Sequence, residues 1–303
     1  MFTFPCIKKN KGEKLMKKIL ITGATGFICS RLAQKLSKRY EVVKAKSDIL
    51  DIKNEKDVSS FFQTHKPDLV IHGAAVAQTK FCEENPEFVY DLNVNGSIHI
   101  AKASKEIGAK MVFFSSEQVF NGNAEQGPFS EEDEPNPNTQ YGKTKLTAEK
   151  EIQKILDEVW ILRLTWMFGM PERNMPISEN IIWNTIESLM KKQKMKVPVN
   201  EYRGMTYVYD FVDQFEKVLD LPYGIYHMGS ENKWGRHQVV EHILNCLAIS
   251  QERIQELLIA DEEKYPAKSR DVRLDTKKIQ GHGFSFDPTP VAIEKCMIEH
   301  GLE

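Results

Sequence analysis

The sequence predicts an α/β fold, with a doubly wound parallel β-sheet followed by a smaller C-terminal α/β lobe. Over residues 16–169, short apolar runs alternate with segments of helical periodicity, as in successive βαβ units. These runs are apolar at consecutive positions, which is typical of strands buried on both faces of a parallel sheet. Beyond residue 170 helical patterns dominate, and the chain is interrupted by Pro171, Pro176 and Pro198.

The elements follow from the local pattern of apolar residues. The first strand, KILIT, precedes a helix that has Ile28, Leu32 and Leu36 on one face. Asn54 can cap the second helix, which is predicted over residues 55–65. The predicted strands of the first part are residues 18–22, 41–45, 68–73, 110–115 and 159–165. The predicted helices between them are residues 27–38, 55–65, 85–107 and 139–156. The second part contains helical patterns at 177–193, 235–248 and 289–300, and an isolated short strand at Gly224–Met228.

These elements divide the chain into three parts. Residues 1–15 form a basic, polar leader that we expect to be disordered, or to precede a true start at Met16. Residues 16–169 form the predicted nucleotide-binding domain. Residues 170–303 form the predicted substrate lobe, and whether they return strands to the first sheet is left open.

Composition excludes several classes of protein. The 303 residues include 41 Lys and Arg against 43 Asp and Glu, so a net charge of −2 gives no general attraction to nucleic acid or an anionic membrane. No apolar run approaches the ~20 residues that span a bilayer. Five scattered cysteines without CxxC spacing indicate a reducing compartment, and we expect a cytoplasmic protein. No metal-ligand pattern is apparent, and a homodimer is left open.

The strongest local signal is the sequence TGATGFIC at residues 22–29, between the first strand and the first helix. Glycines here permit a tight turn and let backbone N–H groups approach a pyrophosphate at the positive end of the helix. The pattern predicts a Rossmann-type dinucleotide site. The third glycine position of such loops holds Cys29, which we interpret as a small packing residue.

A basic residue stands where many dinucleotide folds have an acidic one. At the end of the second strand, an acidic side chain usually binds the ribose 2′-hydroxyl of NAD. Here Lys46 is available instead, and a cation would attract a 2′-phosphate. The sequence therefore predicts NADP(H) as the preferred cofactor, with NAD(H) possible.

Catalytic candidates lie at a YxxxK pattern and at the end of the fourth strand. Tyr141 and Lys145 share one helix face, and a neighbouring cation lowers the pKa of a phenol, which eases proton exchange. The strand ends in Ser115 and Ser116, where a hydroxyl can hydrogen-bond a substrate carbonyl. We assign Ser116 this role, with Ser115 as the second choice.

These motifs resemble the extended class of the short-chain dehydrogenase/reductase superfamily. The resemblance implies adenine contacts by the Asp-Ile pair at 51–52, ribose-side contacts by the two alanines at 74–75, and a functional asparagine in LNVNG. It also implies that the lysine of YxxxK holds the nicotinamide ribose. The cofactor-binding candidates are then Gly23, Thr25, Gly26, Phe27, Ile28, Lys46, Asp51, Ile52, Ala74, Ala75, Asn93, Ser115, Tyr141 and Lys145.

The sequence is most similar to the dTDP-4-dehydrorhamnose reductase family. The similarity rests on SSEQVFNG, on the acidic, proline-containing loop before YGKTK, and on RLTWMFG and DVRLDTKK. It implies that Trp166 borders the sugar and that Arg273 lines the nucleotide side. The segment RGMTYVYD departs from that family and resembles nucleotide-sugar epimerases, which makes Arg203 a diphosphate candidate. Gln118 replaces the carboxylate that 4,6-dehydratases use as a base, so dehydration is not expected.

The resemblance implies an NADPH-dependent reductase of a nucleotide-linked 4-keto-6-deoxy sugar. Ser116, Tyr141 and Lys145 are the catalytic candidates, and Ser116, Trp166, Arg203 and Arg273 the substrate-binding candidates. Two alternatives stay open. One is an NAD-dependent nucleotide-sugar epimerase, which Arg203 favours and Lys46 disfavours. The other is a non-enzymatic, NADP-binding regulatory subunit, because the regulatory subunit of methionine adenosyltransferase resembles the same family.

Overall fold

The computed structural model describes residues 18–302, so the predicted leader and the alternative start at Met16 lie outside the described residues. The strands are β1 Lys18–Thr22, β2 Glu41–Ala45, β3 Leu69–His72, β4 Lys110–Ser116, β5 Val159–Leu164, β6 Trp166–Phe168, β7 Met195–Pro198, β8 Glu201–Tyr202, β9 Met205–Tyr207, β10 Gly224–Met228, β11 Leu258–Asp261 and β12 Arg270–Asp271. The helices are α1 Phe27–Leu36, α2 Glu55–His65, α3 Thr79–Glu84, α4 Pro86–Tyr90, α5 Gly96–Ile107, α6 Gln140–Ile155, α7 Ile181–Met190, α8 Val208–Gln214, α9 Arg236–Cys246, α10 Gln251–Leu257, α11 Lys277–Gly281 and α12 Thr289–Glu299.

Six parallel strands form the central sheet in the order β2-β1-β3-β4-β5-β10. Every residue of β3 and β5 is buried, as expected for strands covered on both faces. The predicted doubly wound α/β fold is confirmed. Because the strand order reverses beside β1, the carboxyl ends of β1 and β3 flank the crevice where such sheets bind their ligands.

The predicted helix over residues 85–107 is interrupted. Pro86 begins α4, a π-helical turn follows at Asp91–Asn95, and α5 then continues from Gly96. The extra residue of a π-turn redirects side chains, and such turns are frequent at functional sites. Here the turn contains Asn93, whose buried side chain contacts the loop after β3.

The interpretation of Gly224–Met228 as an isolated strand is wrong. This strand, β10, pairs in parallel with β5 and completes the central sheet. A side-chain contact supports the pairing, because the indole Nε1 of Trp160 donates a hydrogen bond to the Leu221 carbonyl at 3.0 Å. The second part of the chain therefore forms an edge of the first sheet, and its other strands pair two by two. No helix within residues 18–302 has the length and apolar character needed to cross a membrane.

Candidate active site

The glycine loop closes against the end of β3. Gly23 has a left-handed backbone with φ of +64°, and a side chain there would lie 2.7 Å from the backbone nitrogen of Ala74. The Gly26 N–H donates to the Gly23 carbonyl at 2.8 Å, and Gly26 caps the N-terminus of α1. The first N–H groups of α1 therefore face the crevice between β1 and β3, where they suit a bound anion.

Cys29 performs the packing role that its small size predicts. A side chain on Gly73, at the end of β3, would collide with the Cys29 sulfur. The pair lets α1 lie close against the sheet, and burial raises the pKa of the Cys29 thiol to about 12. Cys29 therefore stays a neutral packing residue.

The predicted cofactor residues differ in exposure. Thr25, Lys46 and Asp51 are exposed, and Lys46 follows β2 directly at the crevice, where the Ala24 N–H reaches the Ala45 carbonyl at 3.5 Å. The side chain of Phe27 is buried beneath the Arg31 guanidinium, which leaves its backbone N–H for a ligand.

Other cofactor candidates around the crevice lie partly or wholly inside the protein. Ala74, Ala75 and Ile28 are half-buried. Ile52 is buried and packs where Gly96 leaves room for it, so its side chain belongs to the core. The predicted adenine contact at residues 51–52 would therefore involve the exposed Asp51 and the backbone of Ile52.

Asn93 positions the site and is not available to a cofactor. Its amide accepts from the Val76 N–H at 2.9 Å, donates to the Val76 carbonyl at 3.0 Å, and donates to the Thr144 hydroxyl at 3.3 Å. Because Thr144 lies on the helix that carries the YxxxK pattern, Asn93 ties the loop after β3 to that helix. The prediction of direct cofactor contact by this buried side chain needs that correction.

A buried histidine that the sequence analysis missed extends this connection to β1. The ring of His72 lies 2.6 Å from the Thr22 hydroxyl and 2.9 Å from the Ser97 hydroxyl, which donates to the Asn93 carbonyl. Burial lowers the pKa of His72 to about 3, so the ring is neutral at physiological pH. The two strands that border the crevice are thus fixed to the helix behind them.

Ser116 and Tyr141 lie together, as predicted. The Ser116 hydroxyl lies near enough to the Tyr141 phenol to lower its pKa, and it accepts a hydrogen bond from the Gln118 N–H at 3.2 Å. Burial raises the pKa of Tyr141 to about 12, while Ser116 and Arg203 act in the opposite direction. The spacing of Tyr141 and Lys145 predicts a lowered pKa, and in this structure burial outweighs that effect. Tyr141 is therefore a protonated phenol, suited to donate a proton.

Lys145 lies deeper in the protein than a surface Tyr–Lys pair would. Its ammonium donates to the Phe114 carbonyl at 2.8 Å and lies 4.7 Å from the centre of the Phe113 ring. Burial lowers the pKa of Lys145 to about 8, and the Glu149 carboxylate opposes this shift. The side chain is charged at neutral pH and fixed beside the end of β4.

Ser115 is engaged elsewhere. Its hydroxyl donates to Glu149, which also accepts from the Arg163 guanidinium, with the shortest contact at 2.8 Å. All three side chains are buried, so Ser115 is not available as the alternative to Ser116, nor as a side-chain ligand of the cofactor. The pair of Glu149 and Arg163 was not predicted, because it joins helix α6 to strand β5 and belongs to no local motif.

On the other side of the crevice, two guanidinium groups lie over the ring of Trp166. Arg203 and Arg236 lie 4.5 and 5.3 Å from the centre of its ring. Arg203 also pairs with the buried carboxylate of Glu117, the residue after Ser116. The Nε atoms of both arginines are buried without a hydrogen-bond partner among the residues that the structure describes. Cationic donors thus remain beside the catalytic candidates.

Glu201 organises these charges. Its carboxylate pairs with Arg270 at 2.6 Å and with Arg236 at 3.2 Å, and Arg270 also donates to Gln118 at 2.7 Å. Glu201, Arg236 and Arg270 were not predicted, because each is far along the chain from its partners and belongs to no motif.

Arg273, a predicted substrate residue, makes contacts within the protein. Its guanidinium pairs with Asp271 at 2.6 Å and donates to the Gly127 carbonyl at 3.2 Å. These contacts fasten the loop before YGKTK to the C-terminal segment. The guanidinium is occupied by the protein, so we assign it a structural role.

Comparison with known proteins identifies the family. A family model described as the RmlD substrate binding domain matches residues 16–299. The chain belongs to this family. Among curated relatives of this RmlD-family chain, the spore coat polysaccharide biosynthesis protein SpsK of Bacillus subtilis is 30% identical over 71% of this chain and 74% of its own length. Methionine adenosyltransferase 2 subunit beta of Xenopus tropicalis is 28% identical over 76% of this chain and 70% of its own length.

Solved structures of dTDP-4-dehydrorhamnose reductases and of a nucleotide-sugar epimerase share the fold. A dTDP-4-dehydrorhamnose reductase of Clostridium acetobutylicum superposes with a TM-score of 0.82 and 26% identity, over 94% of this chain and 99% of that one. The enzyme of that name from Bacillus anthracis, in complex with NADP, superposes with a TM-score of 0.80 and 22% identity, over 94% of this chain and 100% of that one. UDP-glucose 4-epimerase of Thermotoga maritima with UDP-glucose superposes with a TM-score of 0.77 and 21% identity, over 94% of this chain and 100% of that one. The predicted resemblance is confirmed.

Proposed function

We propose that this RmlD-family chain is an NADPH-dependent reductase of a nucleotide-linked 4-keto-6-deoxy sugar. The observation that carries the proposal is that Ser116, Tyr141 and Lys145 come together at the carboxyl end of β4, where Ser116 influences the Tyr141 phenol and Lys145 donates to the Phe114 carbonyl. The glycine loop lies across the same edge of the sheet. NADP in the Bacillus anthracis relative supports the cofactor, and the exposed Lys46 supports the 2′-phosphate.

The residues of the site have distinct tasks. NADPH, when bound, supplies the hydride for the keto carbon. Tyr141 donates its phenolic proton to the carbonyl oxygen, because its raised pKa keeps the proton on the phenol until charge develops on the substrate. Ser116 hydrogen-bonds the same oxygen and orients it. The Lys145 ammonium stabilises the phenolate that remains and binds the ribose.

The substrate side has the charge that a nucleotide diphosphate needs. Arg203 and Arg236 lie over the ring of Trp166, and the exposed parts of their side chains, 14% and 28%, supply positive charge for phosphate oxygens. The half-buried indole adds an apolar surface beside these charges. This arrangement supports a nucleotide sugar in preference to a small free ketone.

The test is the oxidation of NADPH, followed by its absorbance, with a panel of nucleotide-linked 4-keto-6-deoxy sugars beginning with dTDP-4-dehydro-L-rhamnose. Tyr141→Phe should lower kcat by about 10²–10⁴-fold, the usual contribution of a general acid, while NADPH binding is retained. Tyr90→Phe, at an exposed tyrosine, is the matched control. Near-normal turnover in Tyr141→Phe would remove the mechanism.

Two other functions have specific support. The epimerase structure shares the fold, and Arg203 matches the epimerase pattern; NAD that co-purifies with the protein and is released on denaturation would favour that function. The Xenopus relative supports a regulatory subunit. A stable heteromeric complex, together with no turnover of any nucleotide sugar, would favour the regulatory role.

A further inference from the structure

Three metal-binding side chains meet between α9 and α12, in the lobe that follows the central sheet. His242 and Cys246 are one turn apart on α9 and therefore share a face, and Glu294 reaches them from α12. The Nε2 atom of His242 is 3.2 Å from a Glu294 oxygen and 3.7 Å from the Cys246 sulfur. One donor atom from each residue lies within 4.8 Å of the other two.

The donor set and its dimensions suit zinc. Zn²⁺ takes thiolate, imidazole and carboxylate ligands in tetrahedral sites, with bonds of about 2.3, 2.0 and 2.1 Å. Tetrahedral angles then require about 3.5 Å between sulfur and nitrogen and about 3.4 Å between nitrogen and oxygen. The two distances observed, 3.7 and 3.2 Å, are each within a few tenths of an ångström of these values.

An ion can reach these three side chains from solvent, and a neighbouring ring holds one of them in place. The side chains of His242 and Glu294 are 19% and 50% exposed, so an ion can enter and a water molecule can take the fourth position. The ring of Trp234 packs edge-on against the His242 ring at 5.1 Å, which restricts its rotation.

We propose that His242, Cys246 and Glu294 bind one Zn²⁺ that joins α9 to α12. The thiol of Cys246 gives its proton to solvent as the Zn–S bond forms. The ion fastens the last helix, which contacts β9 through the Thr289 hydroxyl and through Glu299, an acceptor for Tyr207. The site is separate from the crevice, so it does not depend on the proposed function.

The test is a titration of chelator-treated full-length protein with Zn²⁺ alone, in competition with a chromogenic chelator. We expect one ion per chain. Removal of an outer-shell partner already costs about 10–100-fold in metal affinity, so His242→Gln, Cys246→Ser and Glu294→Gln should each weaken binding by at least about tenfold. His237→Gln, on the same helix, is the matched control and should bind as the wild type does.

Two results would overturn the proposal. One is wild-type affinity no higher than that of a variant carrying all three substitutions, and the other is undiminished binding in all three single variants. Co²⁺ provides a second measurement: wild type should show a thiolate-to-cobalt charge-transfer band that Cys246→Ser lacks. Glu294→Gln changes a side chain that is half exposed, so we expect this variant to fold. It keeps the proposal testable where His242→Gln or Cys246→Ser folds poorly.

Discussion

The buried ion pair between Glu149 and Arg163 leads to a quantitative prediction for Glu149→Gln. The two side chains are 1% and 3% exposed, and the carboxylate also accepts from Ser115. The substitution keeps the shape and removes the charge, so the buried Arg163 guanidinium loses the carboxylate that pairs with it; of the neighbouring anions, Glu131 still acts on Arg163 through its charge. His227, 3.4 Å from Arg163, cannot compensate, because burial holds its pKa at about 3 and the ring is neutral. We expect a loss of about 3–5 kcal/mol in the free energy of unfolding.

Urea denaturation followed by circular dichroism measures this loss. Glu151→Gln, on the same helix, is the matched control: Glu151 pairs with Lys154 at the surface, and such pairs contribute about 0–1 kcal/mol. Replacing the pair together, as in Glu149→Leu with Arg163→Met, should recover part of the stability, because both charges of the pair are removed while the buried Lys145 ammonium still loses its neighbouring anion. If Glu149→Gln lowers the free energy of unfolding by less than about 1 kcal/mol, the buried Arg163 guanidinium does not need this carboxylate and the prediction is wrong.

Three more predictions follow from the site. Lys46→Ala should weaken NADPH binding by about 10–100-fold, the contribution of one charged hydrogen bond, and leave NADH nearly unchanged; isothermal titration with both cofactors checks this. In a pH profile of kcat, turnover should fall above about pH 8 as Lys145 loses its proton. Glu149→Gln should move this fall to lower pH, because removing a neighbouring anion lowers the pKa of the lysine. A profile that is not displaced in the variant would contradict the prediction. Gly73→Ala should destabilise the protein by about 1–3 kcal/mol through its collision with the Cys29 sulfur, and Cys29→Ala should restore part of this loss in urea denaturation.

Local sequence determines the parts of the site that could be predicted. The strand, glycine loop and first turn of α1 are contiguous, so Gly23 and Gly26 reveal their role through spacing alone. Tyr141 and Lys145 share a helix face for the same reason. The position of Ser116 at the carboxyl end of a predicted strand marks it as a candidate hydroxyl for the substrate carbonyl.

Contacts between distant segments could not be predicted in this way. Arg203 pairs with Glu117, 86 residues away, and Trp166 lies against Arg236, in a segment with no recognisable pattern. The occupied state of Arg273 depends on Gly127, 146 residues earlier. A motif shows that an arginine is present, whereas only the folded chain shows which arginines still have donors to spare.

The return of β10 to the sheet affects how the chain folds during synthesis. Until Gly224–Met228 has left the ribosome, the outer edge of β5 has no neighbour, and an unpaired strand edge is a template for aggregation. The roughly 60 residues between Leu164 and Gly224 take about 3–12 s at 5–20 residues per second. We expect nascent chains arrested before β10 to remain protease-sensitive and to bind chaperones, and chains arrested well beyond it to be protected. A fragment that ends at residue 169 is accordingly a poor choice for isolating a nucleotide-binding domain.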